Sequence, residues 1–140
     1  MPEALSDEEI RFLLDVVDLA RNGHTQRLAG LLDAGVPVNL TNAAGDSLLI
    51  LAAYHGHDDT VRLLLDRGAD TARVNDRGQT ALAAAVFGQS RPIVEMLLAA
   101  GADPQHGGRS AIEVARFFGL TEMLRLLLSH RAGDAGERSR

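Results

Sequence analysis

Leu64-Leu65-Asp66-Arg67-Gly68-Ala69-Asp70 decides the fold, because the chain writes this phrase three times. Upstream it stands as Leu31-Leu32-Asp33-Ala34-Gly35, and downstream as Leu97-Leu98-Ala99-Ala100-Gly101-Ala102-Asp103. Gly35, Gly68 and Gly101 thus recur at an interval of 33 residues. A fixed period of this size marks a stack of small units, none of which buries its apolar face alone. A stack of that kind works by offering a surface rather than by enclosing a reaction.

Outward from the phrase, each unit reads as two short helices and an extended loop. Leu48, Leu49, Ala52 and Ala53 lie at helical spacing, as do Val61, Leu64 and Leu65 after them. The pattern returns as Leu82, Ala85 and Val86, followed by Val94, Leu97 and Leu98. A further copy runs Ile112 and Ala115, then Leu124, Leu127 and Leu128; it is offset by 30 residues, so its loop has lost three. An N-terminal copy precedes them all: Leu19-Ala20-Arg21-Asn22-Gly23-His24 matches Ala52-Ala53-Tyr54-His55-Gly56-His57 one period later. Its first helix is expected to be longer and to open on Ser6-Asp7-Glu8-Glu9, a capping box. Ser47, Thr80 and Ser110 stand just before apolar helical runs, where N-caps belong. Leu64, Leu65, Leu97, Leu98, Leu127 and Leu128 are expected to hold the stack together. The fold class is all-α, four helix pairs forming a short curved solenoid. One domain is expected over residues 1–132, with copies at about 7–41, 42–74, 75–107 and 108–132. Residues 133–140 carry no apolar pattern and are expected to be disordered.

The bulk chemistry narrows the class of partner. The 140 residues carry a net charge of -5, which argues against nucleic acid, since a polyanion needs a basic face. With no cysteine, neither disulfides nor thiolate metal sites can form. No apolar run approaches the ~18 residues that span a membrane. The start, Met1-Pro2-Glu3-Ala4-Leu5-Ser6-Asp7-Glu8-Glu9, is acidic and unlike a secretory signal, so the cytoplasm is expected. All fourteen basic residues are arginine, a usage that fits a GC-rich, bacterial genome.

The run Ala52-Ala53-Tyr54-His55-Gly56-His57-Asp58-Asp59-Thr60-Val61-Arg62-Leu63-Leu64-Leu65-Asp66-Arg67-Gly68-Ala69-Asp70 resembles the ankyrin-repeat phrase A-A-x-x-G-H-x-x-x-V-x-L-L-L-x-x-G-A-D. The resemblance extends over residues 7–132. Departures are visible too. Ser47-Leu48-Leu49-Ile50, Thr80-Ala81-Leu82-Ala83 and Ser110-Ala111-Ile112-Glu113 stand where the family writes T-P-L-H. The hydroxyl cap survives, but the proline that sets the first turn and the bracing histidine do not. Gly88 comes one place early and Gln89-Ser90 replaces Gly-His, with Ser90 still able to cap.

The ankyrin resemblance implies a concave surface lined by the first helices and the loop fingers, and a protein partner bound there. The variable pair after Ala-Ala would point into it: Arg21/Asn22, Tyr54/His55, Phe87/Gly88 and Phe117/Phe118. Tyr54 and Phe87 are one period apart and Phe117 one shortened period further, an aromatic column suited to anchoring a partner. The alternative is that these rings only fill gaps between first helices. The finger positions are the other candidates: Thr41, Asn42, Ala43, Ala44 and Asp46 on the first, Val74, Asn75, Asp76, Arg77 and Gln79 on the second, and Arg109 on the shortened third, with Arg77 and Arg109 suited to carboxylates on a partner. The partner-binding set is therefore Arg21, Tyr54, His55, Asp76, Arg77, Phe87, Arg109 and Phe117. The acidic balance leans toward a partner with some basic surface.

His24 and His57 share one repeat position, which the resemblance implies is structural, and are expected to cap second helices. His55-Gly56-His57-Asp58-Asp59 looks like a ligand cluster on paper, but it straddles a turn, and ligands must converge. No G-x-S-x-G, phosphate loop or H-E-x-x-H occurs, and no cofactor or catalytic residue is expected. Two other readings stay open. One is self-association through the final copy, where Phe117, Phe118, Leu120 and Leu124 lack a polar cap; the expected state is a monomer. The other is a metal- or small-molecule-dependent activity around His55 and His57.

Overall fold

The computed structural model describes the backbone of residues 4–138 and the side chains of residues 4–130. Four helix pairs follow one another: α1 (Asp7–Asn22) with α2 (Thr25–Asp33), α3 (Leu48–Tyr54) with α4 (Asp58–Asp66), α5 (Ala81–Phe87) with α6 (Arg91–Ala99), and α7 (Ala111–Phe117) with α8 (Thr121–Arg138). The helix starts follow from local chemistry. Ser6 and Glu9 form the reciprocal capping box at 3.1 Å in both directions. The hydroxyls of Ser47, Thr80 and Ser110 accept from the amides of Ile50, Ala83 and Glu113 at 3.1–3.2 Å. Each bond satisfies a first-turn amide that the helix itself leaves free.

The second helices begin differently, which corrects one expectation. His24, His57 and Ser90 occupy the cap positions, yet none makes a side-chain cap bond. Their side chains are free for other uses; that of His57 reaches back to the preceding pair.

After α2, α4 and α6 the chain turns through a glycine of positive φ. At Gly68, φ is +80°, a conformation that costs a residue bearing Cβ. The fingers then project toward the next first helix. Asn42 and Asn75, one period apart, each shape a finger with the side-chain oxygen. Asn42 Oδ1 accepts from the amides of Ala44 and Asp46, and Asn75 Oδ1 from those of Arg77 and Gln79, at 2.9–3.0 Å. Neighbouring fingers are tied by Asp76 N to Ala44 O at 3.0 Å and by Arg109 N to Gly78 O at 2.9 Å. Among the described residues the sole β feature is an isolated bridge between Thr41 and Ser47.

The core is continuous through the stack. Leu28, Leu48, Leu49, Leu64, Leu82, Ile93, Leu97 and Leu127 are all below 2% exposed. Leu65 is only half-buried and Leu128 is exposed, although both were expected in the core. Leu128 lies on the last helix, which has a neighbour on one side only. Alanines 52, 53, 81, 83, 84, 85, 111 and 115 line the first-helix contacts and are buried. Such small side chains let helix axes approach closely. The first helices accordingly press on one another more closely than the second helices do. The stack therefore closes on the first-helix side, and that side is its concave face.

The backbone of α8 stays helical through Arg138, into the stretch 133–140 that was expected to be disordered; residues 139–140 lie outside the described residues. Extending a helix that already exists costs far less than starting one. No helix of the described residues is long and apolar enough to cross a membrane.

Candidate protein-interaction face

Burial along the first helices isolates the aromatic residues. Every residue of α3 is buried except Tyr54, and every residue of α5 except Phe87. Each of these two rings closes its helix and is 46% exposed. They stack on one another, with centroids 6.2 Å apart and planes 10° from parallel. Offset aromatic pairs at this distance attract by about 0.5–1.5 kcal/mol beyond the area they bury.

The next ring in the row is Phe118, in place of the expected Phe117. Phe87 meets Phe118 edge-on at 5.3 Å, and Phe118 meets Phe117 at 4.9 Å. Successive residues on a helix point about 100° apart, so only one of the two phenylalanines faces Phe87. Phe117 is left 83% exposed. Tyr54, Phe87 and Phe118 form the ladder, with Phe117 as its outer end.

Two clefts run from the fingers to this ladder. The first, of about 270 Å³, is lined by Arg21, Asp46, Ile50, Leu51, Tyr54, His55, Arg77 and Gln79. The second, of about 400 Å³, is lined by Arg109, Glu113, Val114, Phe117 and Phe118. The structure thus brings together Arg21, Tyr54, His55 and Arg77 in one cleft, and Arg109 with Phe117 in the other. Asp76, exposed on the second finger, lines neither cleft. Asp46 and Gln79, finger candidates from the sequence, share the repeat position of Arg109. Sequence reasoning missed Glu113, which lies in the first turn of α7.

Arginine pairing differs between the two rims. Arg21 is ion-paired with Asp18 in the same helix. Among the described residues, Arg77 and Arg109 have no carboxylate within ion-pair distance. Asp46, the acid of the first cleft, is 9% exposed. Its Oδ1 accepts from Asn75 Nδ2 at 2.8 Å and its Oδ2 from Asn42 Nδ2 at 3.5 Å.

His55 sits edge-on to Tyr54 at 5.1 Å, and its ring is 6.3 Å from that of His57. Burial first, and then the nearby charges of His57 and Arg21, hold its pKa below the ordinary 6.5. His57 Nε2 lies 2.8 Å from the carbonyl oxygen of Arg21 and so donates to it. Among the described residues no three histidine or carboxylate side chains converge as metal ligands. The arrangement supports contact chemistry, with aromatic faces and arginine forks presented along a curved wall.

A model of ankyrin repeats matches three copies over residues 16–107. The chain belongs to the ankyrin-repeat family. Ankyrin repeats are in general modules of protein–protein interaction, without enzymatic activity. Over 51 residues the chain is 53% identical to an ankyrin repeat protein of Pseudomonas aeruginosa, a stretch covering 36% of this chain and 30% of that relative. The chain therefore aligns with less than a third of that relative's length. The fourth ankyrin copy, with its shortened finger, lies beyond the matched residues and completes the stack geometrically through α7 and α8.

Proposed function

We propose that this ankyrin stack is a protein-binding adaptor or regulator with no chemistry of its own, which holds its partner on the concave face. One observation carries the reading. Two helices that are otherwise wholly buried each end in a large aromatic ring that remains about half open to solvent. A ring that merely filled a gap between helices would be largely buried. Exposed aromatic residues beside arginine have the composition of interface anchors. Arg21, His55, Asp76, Arg77, Arg109 and Phe117 surround Tyr54 and Phe87 in this reading. The partner is met in the cytoplasm of a bacterium; the bacterial relative and the all-arginine usage support that origin.

The test is an affinity pull-down with wild type beside a folded Tyr54→Ala/Phe87→Ala variant. A protein retained by wild type and lost by the variant supports the concave face. A protein retained equally by both moves the site to the outer helices.

A second reading has its own observation. Phe117 is 83% exposed and Leu128 41% exposed at the open end of the stack. A second copy docking there would cover both. Light scattering that returns a strict monomer at high concentration removes this alternative.

A further inference from the structure

The concave face has two unlike rims. One is the ladder Tyr54, Phe87 and Phe118, at the C-terminal ends of the first helices. The other is set by the fingers, which contribute Arg77 and Arg109. The seven-residue helix α3 separates the rims. At 1.5 Å per residue that is roughly 10 Å, about the thickness of one extended chain with side chains on both sides.

The spacing along the ladder also accommodates an extended occupant. The ring centroids follow at 6.2 Å and 5.3 Å. Side chains on one side of an extended strand repeat about every 6.6 Å, because every second residue points the same way. On one face of a helical occupant, neighbouring side chains three or four residues apart also lie about 5–6 Å from one another, so it is the two opposed rims that favour a strand, whose side chains alternate between sides. A strand lying along the stack would direct alternate side chains to the aromatic rim and the intervening ones to the finger rim.

Charge decides what those intervening side chains are. Arg77 and Arg109 are exposed and have no carboxylate within ion-pair distance among the described residues. Arg21, at the far end of the first cleft, is already paired with Asp18. Opposing them are Asp46, nearly buried and bonded by Asn75 and Asn42, and Glu113 in the second cleft, with Asp76 exposed beside Arg77 on the finger. The two clefts are thus lined by three arginines and two carboxylates, against a whole-chain charge of -5. Guanidinium groups in this setting select carboxylates, which they bind in a two-pronged fork.

We infer that the partner enters as an extended protein segment in which apolar residues alternate with aspartate or glutamate, apolar side chains on the Tyr54–Phe87–Phe118 ladder and acidic side chains toward Arg77 and Arg109. This inference rests on the concave-face reading above and adds the chemistry of the partner to it.

The experiment is selection of a displayed library of random twelve-residue peptides on the full chain. Three proteins are compared: wild type, Arg77→Glu/Arg109→Glu, and Tyr54→Ala/Phe87→Ala, each first shown to melt cooperatively. Wild type is expected to enrich apolar residues at every second position with acids between them. The arginine-to-glutamate variant is expected to exchange those acids for lysine or arginine while keeping the apolar spacing. Replacing one acid of a selected peptide with alanine should weaken binding to wild type roughly threefold to tenfold. Selected peptides that need Tyr54 and Phe87 but show no acid preference, or space their apolar residues by three and four, overturn this inference and leave the concave face standing. Selection that ignores the Tyr54→Ala/Phe87→Ala change, or no selection at all, overturns both.

Discussion

The ring of His57 occupies the space that a side chain on Gly23 would need. A Cβ built on Gly23 falls 2.6 Å from His57 Nδ1, while Nε2 of the same ring bonds the carbonyl oxygen of Arg21 at 2.8 Å. Gly23 itself has φ +74° and closes α1. The imidazole thus bolts the second helix pair to the end of the first.

Gly23→Ala should therefore destabilise the stack for two reasons, the left-handed backbone and the clash with the ring. Together these should cost about 2–4 kcal/mol. His57→Ala alone should cost about 1–3 kcal/mol through the lost bond and packing. The double variant should cost less than the sum, because removing the ring relieves the clash. Denaturant unfolding of the four proteins measures this coupling, and strict additivity would refute the geometry.

Gln89 is the one non-glycine residue with positive φ, +56°, among the described residues. It lies where the family phrase has glycine. Gln89→Gly should stabilise the chain by about 1 kcal/mol, since the left-handed conformation costs a side-chain-bearing residue that much or more. For a domain of this size the melting midpoint should rise by roughly 3–5 °C. An unchanged or lower midpoint would show that the strain is not there to relieve.

Leu97 is fully buried between repeats, whereas Leu128 is 41% exposed at the end of the stack. Leu97→Asp places an unpaired charge in the core and should unfold the whole array, because each repeat is stable only through its neighbours. Leu128→Asp should cost less than about 1 kcal/mol. Circular dichroism of the two variants distinguishes the outcomes; a folded Leu97→Asp protein would contradict the register.

His55 has a pKa below the ordinary 6.5, through burial and the charges of His57 and Arg21. Between the lowered value and 6.5 the unfolded chain binds more protons than the folded one. Stability from this group is thus complete above about pH 6.5 and declines as the pH falls through the lowered value. The effect is small, since the burial of His55 is only slight. Thermal melts from pH 7.5 to 5 should show a downward slope that His55→Gln flattens. A slope unchanged by His55→Gln would assign it to other groups.

The repeat, its helices, their caps and the aromatic candidates were legible in the chain, because each depends on neighbours within a few residues or on a fixed period. Ser47, Thr80 and Ser110 cap because each stands three residues before the amide it bonds. Tyr54 and Phe87 share a repeat position, and one period places them in adjacent helices.

What joins one repeat to the next was not legible. Sequence spacing allowed Phe117 to extend the aromatic row, but the phase of α7 against α5 turned Phe118 toward Phe87 instead. It also placed His57 at a helix start as a cap, while the stacked structure supplied the carbonyl of Arg21, 36 residues away, as a better acceptor. Asp46 reads as an ordinary loop acid until Asn75, 29 residues on, comes to lie against it. The sequence by itself determined the unit and its period, which are local. Only the tertiary structure decided which side chains meet across units, because that depends on the rotation of each helix pair on the one before it.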